Sequence, residues 1–371
     1  MQRESELMTF QAETPACEAN RFDIGLVCYW VRAQVCHLPC EFPDLSCATL
    51  VCEEHMGPKQ KYLTETTLLQ ATKSVALTKP AELEGFAARH PEIAQHAHIY
   101  FVCQRPRVRV IDTEIRQAEG IRVVLSFATE TGTTQRELVI PEAIFNLKIT
   151  SVSRARGGAY LKLTDERDVT ALMPPEYLSR ISDETFPELA NLEVIYVGQA
   201  HGESGARSAI DRLKAHSTLQ KVLADQQHVS WWMEAVLLLF VFDDHQLVSV
   251  IDGTSRTAIT GDVDDEHFQS LLEQPLSSAQ LVTIAEASFI RYFQPRYNIH
   301  FKDNYPTTDM QHLKDAYRLD YSGIVTEIDT EGIAVKTFAE HRRPLGHHTA
   351  HFDLHDPKER FSFFGIVDSN Q

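Results

Sequence analysis

Residues 235–242 read Ala-Val-Leu-Leu-Leu-Phe-Val-Phe, the longest unbroken apolar stretch in the chain. It is far too short for a membrane helix, which needs ~20 residues. It has no polar residue at every second place, so it predicts a strand buried on both faces rather than one that shows a face to water. Such a strand must be central in its sheet and covered on either side.

The 371 residues allow two or three domains, and the patterning divides them into three segments. Residues 1–150 read as a β-rich N-terminal domain. Strands are expected at 24–31, 98–103 and 108–111, with a hairpin of 121–127 and 137–140 around Thr131-Gly132. A short helix over 83–95 breaks at Pro91. In residues 151–305 the order is strand (158–163), strand (192–197), helix (208–224), strand (236–242), helix (277–293). The last helix is stopped by Pro295. Residues 306–371 hold two strands around Thr330-Glu331-Gly332 and a histidine-rich tail. The expected class is α+β: a small mixed sheet flanked by helices, with β-rich N-terminal and C-terminal additions.

Charge restricts the partners. Thirty-five Lys+Arg stand against 52 Asp+Glu, a net of −17. The three segments carry −4, −9 and −4, so none is a basic domain. Tight, non-specific polyanion binding by a basic stripe is excluded, and any nucleic-acid contact must be local, metal-assisted or partner-assisted. The first residues, Met1 to Glu6, are charged and lack the apolar core of a secretory signal, so a cytoplasmic protein without a membrane span is expected.

Six of the seven cysteines lie in the first 52 residues. In a reducing compartment they are thiols or metal ligands rather than disulfides. Cys36, Cys40, Cys47 and Cys52, with His37 and His55, could hold zinc, although their spacing matches no common paired knuckle. A second candidate is the tail, with His341, His347, His348, His351 and His355. Its His-x3-His spacings lack the glutamate of a zinc protease, and the neighbouring Phe352, Leu354 and Phe361 suggest strands.

Four separated pieces of the middle segment carry chemistry. Tyr196-Val197-Gly198 ends a strand. Arg212 and His216 are four apart on the next expected helix, so they share a face. On the last helix, Val282, Glu286, Phe289, Ile290 and Phe293 form one stripe, and Glu286 is its only charge. A carboxylate in such a stripe costs several kcal/mol unless it is paired or binds a cation. Pro295-Arg296-Tyr297-Asn298 follows directly. Each piece alone also has an ordinary reading, as a strand end, a solvated face, a stripe edge or a helix cap.

In this order the pieces resemble the GIY-YIG nuclease superfamily, restriction-endonuclease-like members included, over about residues 155–300. The match runs from Tyr196-Val197-Gly198, through Arg212 and His216, to Glu286 and Pro295-x-Tyr297-Asn298. The first motif is assigned to Gly158-Ala159-Tyr160, which places a long hairpin insertion before Tyr196. The resemblance implies a metal-dependent endonuclease that hydrolyses phosphodiester bonds in nucleic acid, DNA in the first place, in a setting such as restriction or anti-phage defence. It implies one divalent ion, Mg²⁺ or Mn²⁺, held by Glu286. Arg212 would neutralise charge on the phosphorus centre. Tyr160 would be the base and Tyr196 its phosphate-orienting partner, with these roles exchangeable. His216 would orient a tyrosine or assist proton transfer, and Asn298 would fix the helix end beside Glu286. The alternative is a catalytically inactive scaffold of the same kind that binds a protein partner or pairs as a homodimer. The acidic middle segment favours the scaffold. Retention of the charged set on an apolar stripe favours the enzyme.

Overall fold

The computed structural model describes residues 60–298 and 317–363, with breaks at 118, 146–147, 182–185, 201–208, 215, 243–244, 252–254, 357–359 and 361–362. The strand expected at 24–31 and the cysteine-rich segment lie outside the described residues.

Strand β1 (Thr64–Thr78) is followed by helices α1 (Leu83–Arg89) and α2 (Pro91–His96). Two helices form where one broken helix was expected. Pro91 has no N–H with which to continue the first, and it opens the second at its first position. Strand β2 (Ile99–Pro106) comes next. Residues 107–190 then make a β-rich block. Strands β3 (Val108–Arg116), β4 (Gly120–Thr129) and β5 (Gly132–Ile140) form one antiparallel sheet. Strands β6 (Ile149–Ala155), β7 (Tyr160–Asp165) and β8 (Thr170–Met173) form another. Val110, Val123, Leu125, Leu161 and Leu163 join the two in one core. Helices α3 (Leu178–Ile181) and α4 (Pro187–Ala190) lead out to β9 (Asn191–Gln199), which pairs antiparallel with β2. Helices α5 (Ala209–Lys214) and α6 (Ser217–His228), strands β10 (Met233–Phe242) and β11 (Gln246–Ile251), and helices α7 (Asp262–Glu273) and α8 (Ser278–Phe293) follow. Strands β12 (Gly323–Asp329), β13 (Lys336–Ala339), β14 (Arg342–Leu345) and β15 (His347–Asp353) complete the fold.

The main sheet runs β14-β13-β9-β2-β10-β1-β12-β15, with β11 also paired to β1. As its composition requires, β10 is central. Leu237 and Leu239 pack with Phe86, Leu213, Leu219 and Val222 under α1, α5 and α6. Val236, Leu238 and Phe240 pack with Phe289, Ile290 and Phe293 of α8.

The expectation of a small sheet flanked by helices, with separate β-rich additions, is corrected. The two outermost strands, β14 and β15, are consecutive in the chain with only Gly346 between them. The sheet therefore curls round until its ends nearly meet, and the result is a large, barrel-like mixed sheet. His348 on β15 reaches β13 directly, its Nε2 lying 2.8 Å from the Thr337 carbonyl oxygen. Its Nδ1 lies 3.1 Å from the Tyr292 hydroxyl of α8. Residues of β2, β9, β10, β12, β13 and β15 all meet α8 in one core. A helix so enclosed must be apolar nearly all round, and nine of its residues are buried. The sheet takes β1 and β2 from residues 1–150, β9 to β11 from 151–305 and β12 to β15 from 306–371, so the three segments do not separate. No helix among the described residues is long and apolar enough to cross a membrane.

His341 lies in the turn between β13 and β14, and the other four tail histidines lie on and just after β15, so their spacing is not helical. His348 is buried, whereas His347 and His351 are exposed. No group of three His, Cys, Asp or Glu side chains placed to hold a metal ion occurs among the described residues. His355 instead ties β1 to the end of β15 through Glu65 and Asp353. Burial pushes its pKa down, but the two carboxylates outweigh burial and raise it above the ordinary 6.5. A raised folded-state pKa contributes stability that is fully present below the unfolded value and is lost as pH rises through the folded one. Wild type should thus lose more stability between about pH 6 and about pH 8 than His355→Gln does. Urea denaturation of both proteins at the two pH values checks this, and identical pH dependence would refute the linkage.

Candidate active site

The site starts from two paired strands. Tyr100 on β2 stands opposite Gly198 on β9. Two pairs along, the register slips: Val102 faces Tyr196 and Cys103 faces Val194, which leaves Ile195 as an extra residue. A bulge of this kind re-aims side chains. Here it turns both Ile195 and Tyr196 toward the core that contains Tyr100. The two tyrosine rings end with centroids 6.2 Å apart. Gly198 makes room for them, since a Cβ there would lie 2.6 Å from the Tyr100 ring and hydroxyl and 2.7 Å from the Tyr196 ring.

Arg212 and His216 reach these rings without sharing one helix. The helix expected over 208–224 is two helices, and His216 sits in extended conformation as the N-cap of α6. Its Nδ1 accepts the Leu219 N–H at 3.2 Å. That acceptor role leaves the proton on Nε2, which lies 3.3 Å from the Tyr196 hydroxyl and donates to it. Burial first, and then the Arg212 charge, hold the His216 pKa below its ordinary value. The ring is therefore a neutral donor that fixes Tyr196. Arg212 is exposed along its length, while its guanidinium acts on Tyr100 both as a charge and as a donor. The pair is not ideally aligned, for the buried Tyr100 hydroxyl has no hydrogen bond of good geometry among the described residues.

Glu286 comes from α8 and is only 7% exposed. The helix begins with a capping box, in which Ser277 and Gln280 satisfy each other's backbone N–H groups. One turn before Glu286, Thr283 donates to Gln199 at the end of β9 at 3.4 Å. Residues three apart share a helix face, so the Glu286 turn faces the end of β9 that carries Tyr196. The far end of the helix is pinned to the same strand. Asn298 accepts the Val197 N–H at 2.9 Å and donates to the Val197 carbonyl at 2.8 Å, and the Tyr297 N–H donates to the Ile195 carbonyl at 3.0 Å. Removing the buried Asn298 amide would leave two buried backbone groups unsatisfied, at about 1–3 kcal/mol each. Asn298→Ala is therefore expected to lower unfolding free energy by about 2–6 kcal/mol. An unchanged urea midpoint would show that the clamp is not needed.

The charges converge. Burial is the first cause of the raised Tyr100 pKa; Tyr196 and Glu286 add to it and Arg212 opposes. Tyr196 is pushed up to about 12, by burial and then by the Glu286 carboxylate, with Arg212 and Tyr100 pulling the other way. Burial works against the Arg212 charge, but Tyr100, Tyr196 and Glu286 together hold it more firmly protonated than usual. Both hydroxyls are thus protonated at neutral pH in the free protein, between a fixed cation and a fixed carboxylate.

The tyrosine beside Tyr196 is Tyr100, not Tyr160 as expected. Tyr160 begins β7 in the block over residues 107–190, where its hydroxyl bonds Glu82 and its ring stacks under Arg156. His216 contacts Tyr196, Asn298 clamps the neighbouring Val197, and the charges of Arg212 and Glu286 act on Tyr196. Tyr100 lies on a strand the sequence predicts, 98–103, but nothing local to that strand marks it as the partner of Tyr196. Glu286 is the carboxylate whose charge acts on Tyr100, Tyr196 and Arg212 alike. One carboxylate with hydroxyl neighbours suits Mg²⁺ or Mn²⁺, hard cations that take their other ligands from water and phosphate. No protein-family model, curated protein or solved structure matches the chain.

Proposed function

We propose that the chain is a divalent-metal-dependent endonuclease of the GIY-YIG type that hydrolyses phosphodiester bonds in nucleic acid, with DNA as the first substrate to test. One observation carries the reading. Tyr100, Tyr196, Arg212, His216 and Glu286 come from two strands, a short helix, a helix cap and an enclosed helix, yet act on one another's charges and hydrogen bonds. A scaffold has no need to hold an arginine, a buried carboxylate and two protonated tyrosines together at that cost.

A divalent ion held by Glu286 would polarise a phosphate oxygen and stabilise the departing oxygen. Arg212 supplies fixed positive charge to the phosphorus centre as it gains electron density. With the Glu286 charge compensated, Tyr100 would first lose its own proton to solvent, and the tyrosinate, steadied by Arg212, would then take the proton of the attacking water. Tyr196, held by His216, donates to a phosphate oxygen and keeps the bond in line. Asn298 and Gly198 are positioning residues, one locking α8 to β9 and the other making space for the rings.

The test is incubation of the full chain with supercoiled plasmid, single-stranded DNA and RNA in Mg²⁺, Mn²⁺ or EDTA. Nicking or cleavage that EDTA stops is expected. Equal, absent hydrolysis on all three substrates with either metal would favour the inactive interaction scaffold instead.

A further inference from the structure

We infer that the pocket framed by β10, α5 and α6 receives the backbone of the substrate strand beside the cleaved bond, an inference that rests on the hydrolase reading above. The pocket has a volume of about 670 Å³, within the range that takes a nucleotide-sized group. Lys79, Arg107, Arg109 and Lys214 line it, against Glu84 and Glu234. Glu234 is already neutralised from behind: Arg105, itself 1% exposed, donates to one of its oxygens at 3.1 Å. The lining is thus net basic in a chain whose net charge is −17, and it supplies the local anion contact that the overall composition cannot.

Two buried donors mark the pocket as built for oxygen acceptors. Gln226 lines it, is 5% exposed, and its Nε2 has no hydrogen-bond partner. The Nε of Arg107 is likewise buried without one. A buried amide donor left unmade is costly, and phosphate or sugar oxygens would complete it. The pocket is also tied to the site, for Lys214 falls between Arg212 and His216, and Leu219, whose N–H caps onto His216, is part of the lining. An aromatic stands nearby. The turn from α6 to β10 presents Trp231 at 50% exposure, and the adjoining Trp232 carbonyl accepts the Arg107 N–H at 2.6 Å. Basic side chains with an exposed indole are the combination that holds a single strand, by phosphate contact and by base stacking.

Anisotropy of end-labelled single-stranded and duplex DNA, titrated with the full chain in EDTA and in Ca²⁺ over a range of salt, tests this. Lys214→Ala and Arg109→Ala should each weaken binding severalfold and reduce the salt slope by about 1. Gln226→Met should weaken binding while leaving the melting temperature equal or higher, because it removes an unsatisfied donor. Lys162→Ala, the same charge change on β7, should bind as wild type does. Wild-type affinity in the three pocket variants, or no binding by wild type, overturns the inference. The two readings fail separately. If Glu286→Gln stops cleavage while the pocket variants bind normally, the hydrolase stands and the pocket falls. If nothing is cleaved while the pocket variants still lose affinity, the pocket stands and the hydrolase falls.

Discussion

Replacing Tyr100 with phenylalanine is expected to slow single-turnover cleavage by about 10²- to 10⁴-fold, the usual contribution of one general base. The same change at Tyr160 should leave the rate within about twofold, as surface-type changes away from a site do. The contrast follows from placement. The Tyr100 hydroxyl feels the charges of Arg212, Tyr196 and Glu286, whereas that of Tyr160 is committed to Glu82 in the block over residues 107–190. Stability separates chemistry from folding. The Tyr100 oxygen is buried without an aligned hydrogen bond, so its removal should leave the melting temperature unchanged or slightly raised. The wild-type rate should also climb with pH over about pH 7 to 9, because the resting tyrosine is protonated, and Tyr100→Phe should flatten that rise. A Tyr160→Phe protein as impaired as Tyr100→Phe would return the role of base to Tyr160.

Those two tyrosines mark where the sequence could be read and where it could not. Strand β10 was legible because burial on both faces writes itself into consecutive residues, and α8 because its apolar stripe follows a cap at Ser277 and Gln280. Glu286 stood out for the same reason, as a lone charge in that stripe. Features that depend on a distant partner left no such trace. The partner of Tyr196 lies before the whole block over residues 107–190, and strand pairing across an insertion of that size has no local signature. The bulge at Ile195 exists only relative to β2. The kink that seats His216 as a helix cap interrupts what reads as one helix, because a histidine is an unusual cap. Closure of the sheet depends on β1 and on β12 to β15, and the short strands β12 to β15 look like a separate addition until His348 is seen to bridge β15 and β13.

Glu286 carries the central claim. Its carboxylate is buried, and its charge acts on both tyrosines and on Arg212. Glutamine matches its volume and keeps an oxygen, but it lacks the charge that would hold a hard cation. Glu286→Gln should therefore fold normally, with both tyrosine pKa values drawn back toward the ordinary value because a carboxylate that raises them has gone. It should lose metal-dependent cleavage by about 10³-fold or more, as expected when a site loses its charge-stabilising group. The most direct measurement is single-turnover cleavage of labelled DNA by wild type and Glu286→Gln across a Mn²⁺ titration, with metal affinity followed by calorimetry on the same samples. The account predicts saturable, metal-dependent cleavage and a measurable binding isotherm for wild type, and neither for Glu286→Gln. Equal metal affinity and equal cleavage in the two proteins would contradict it.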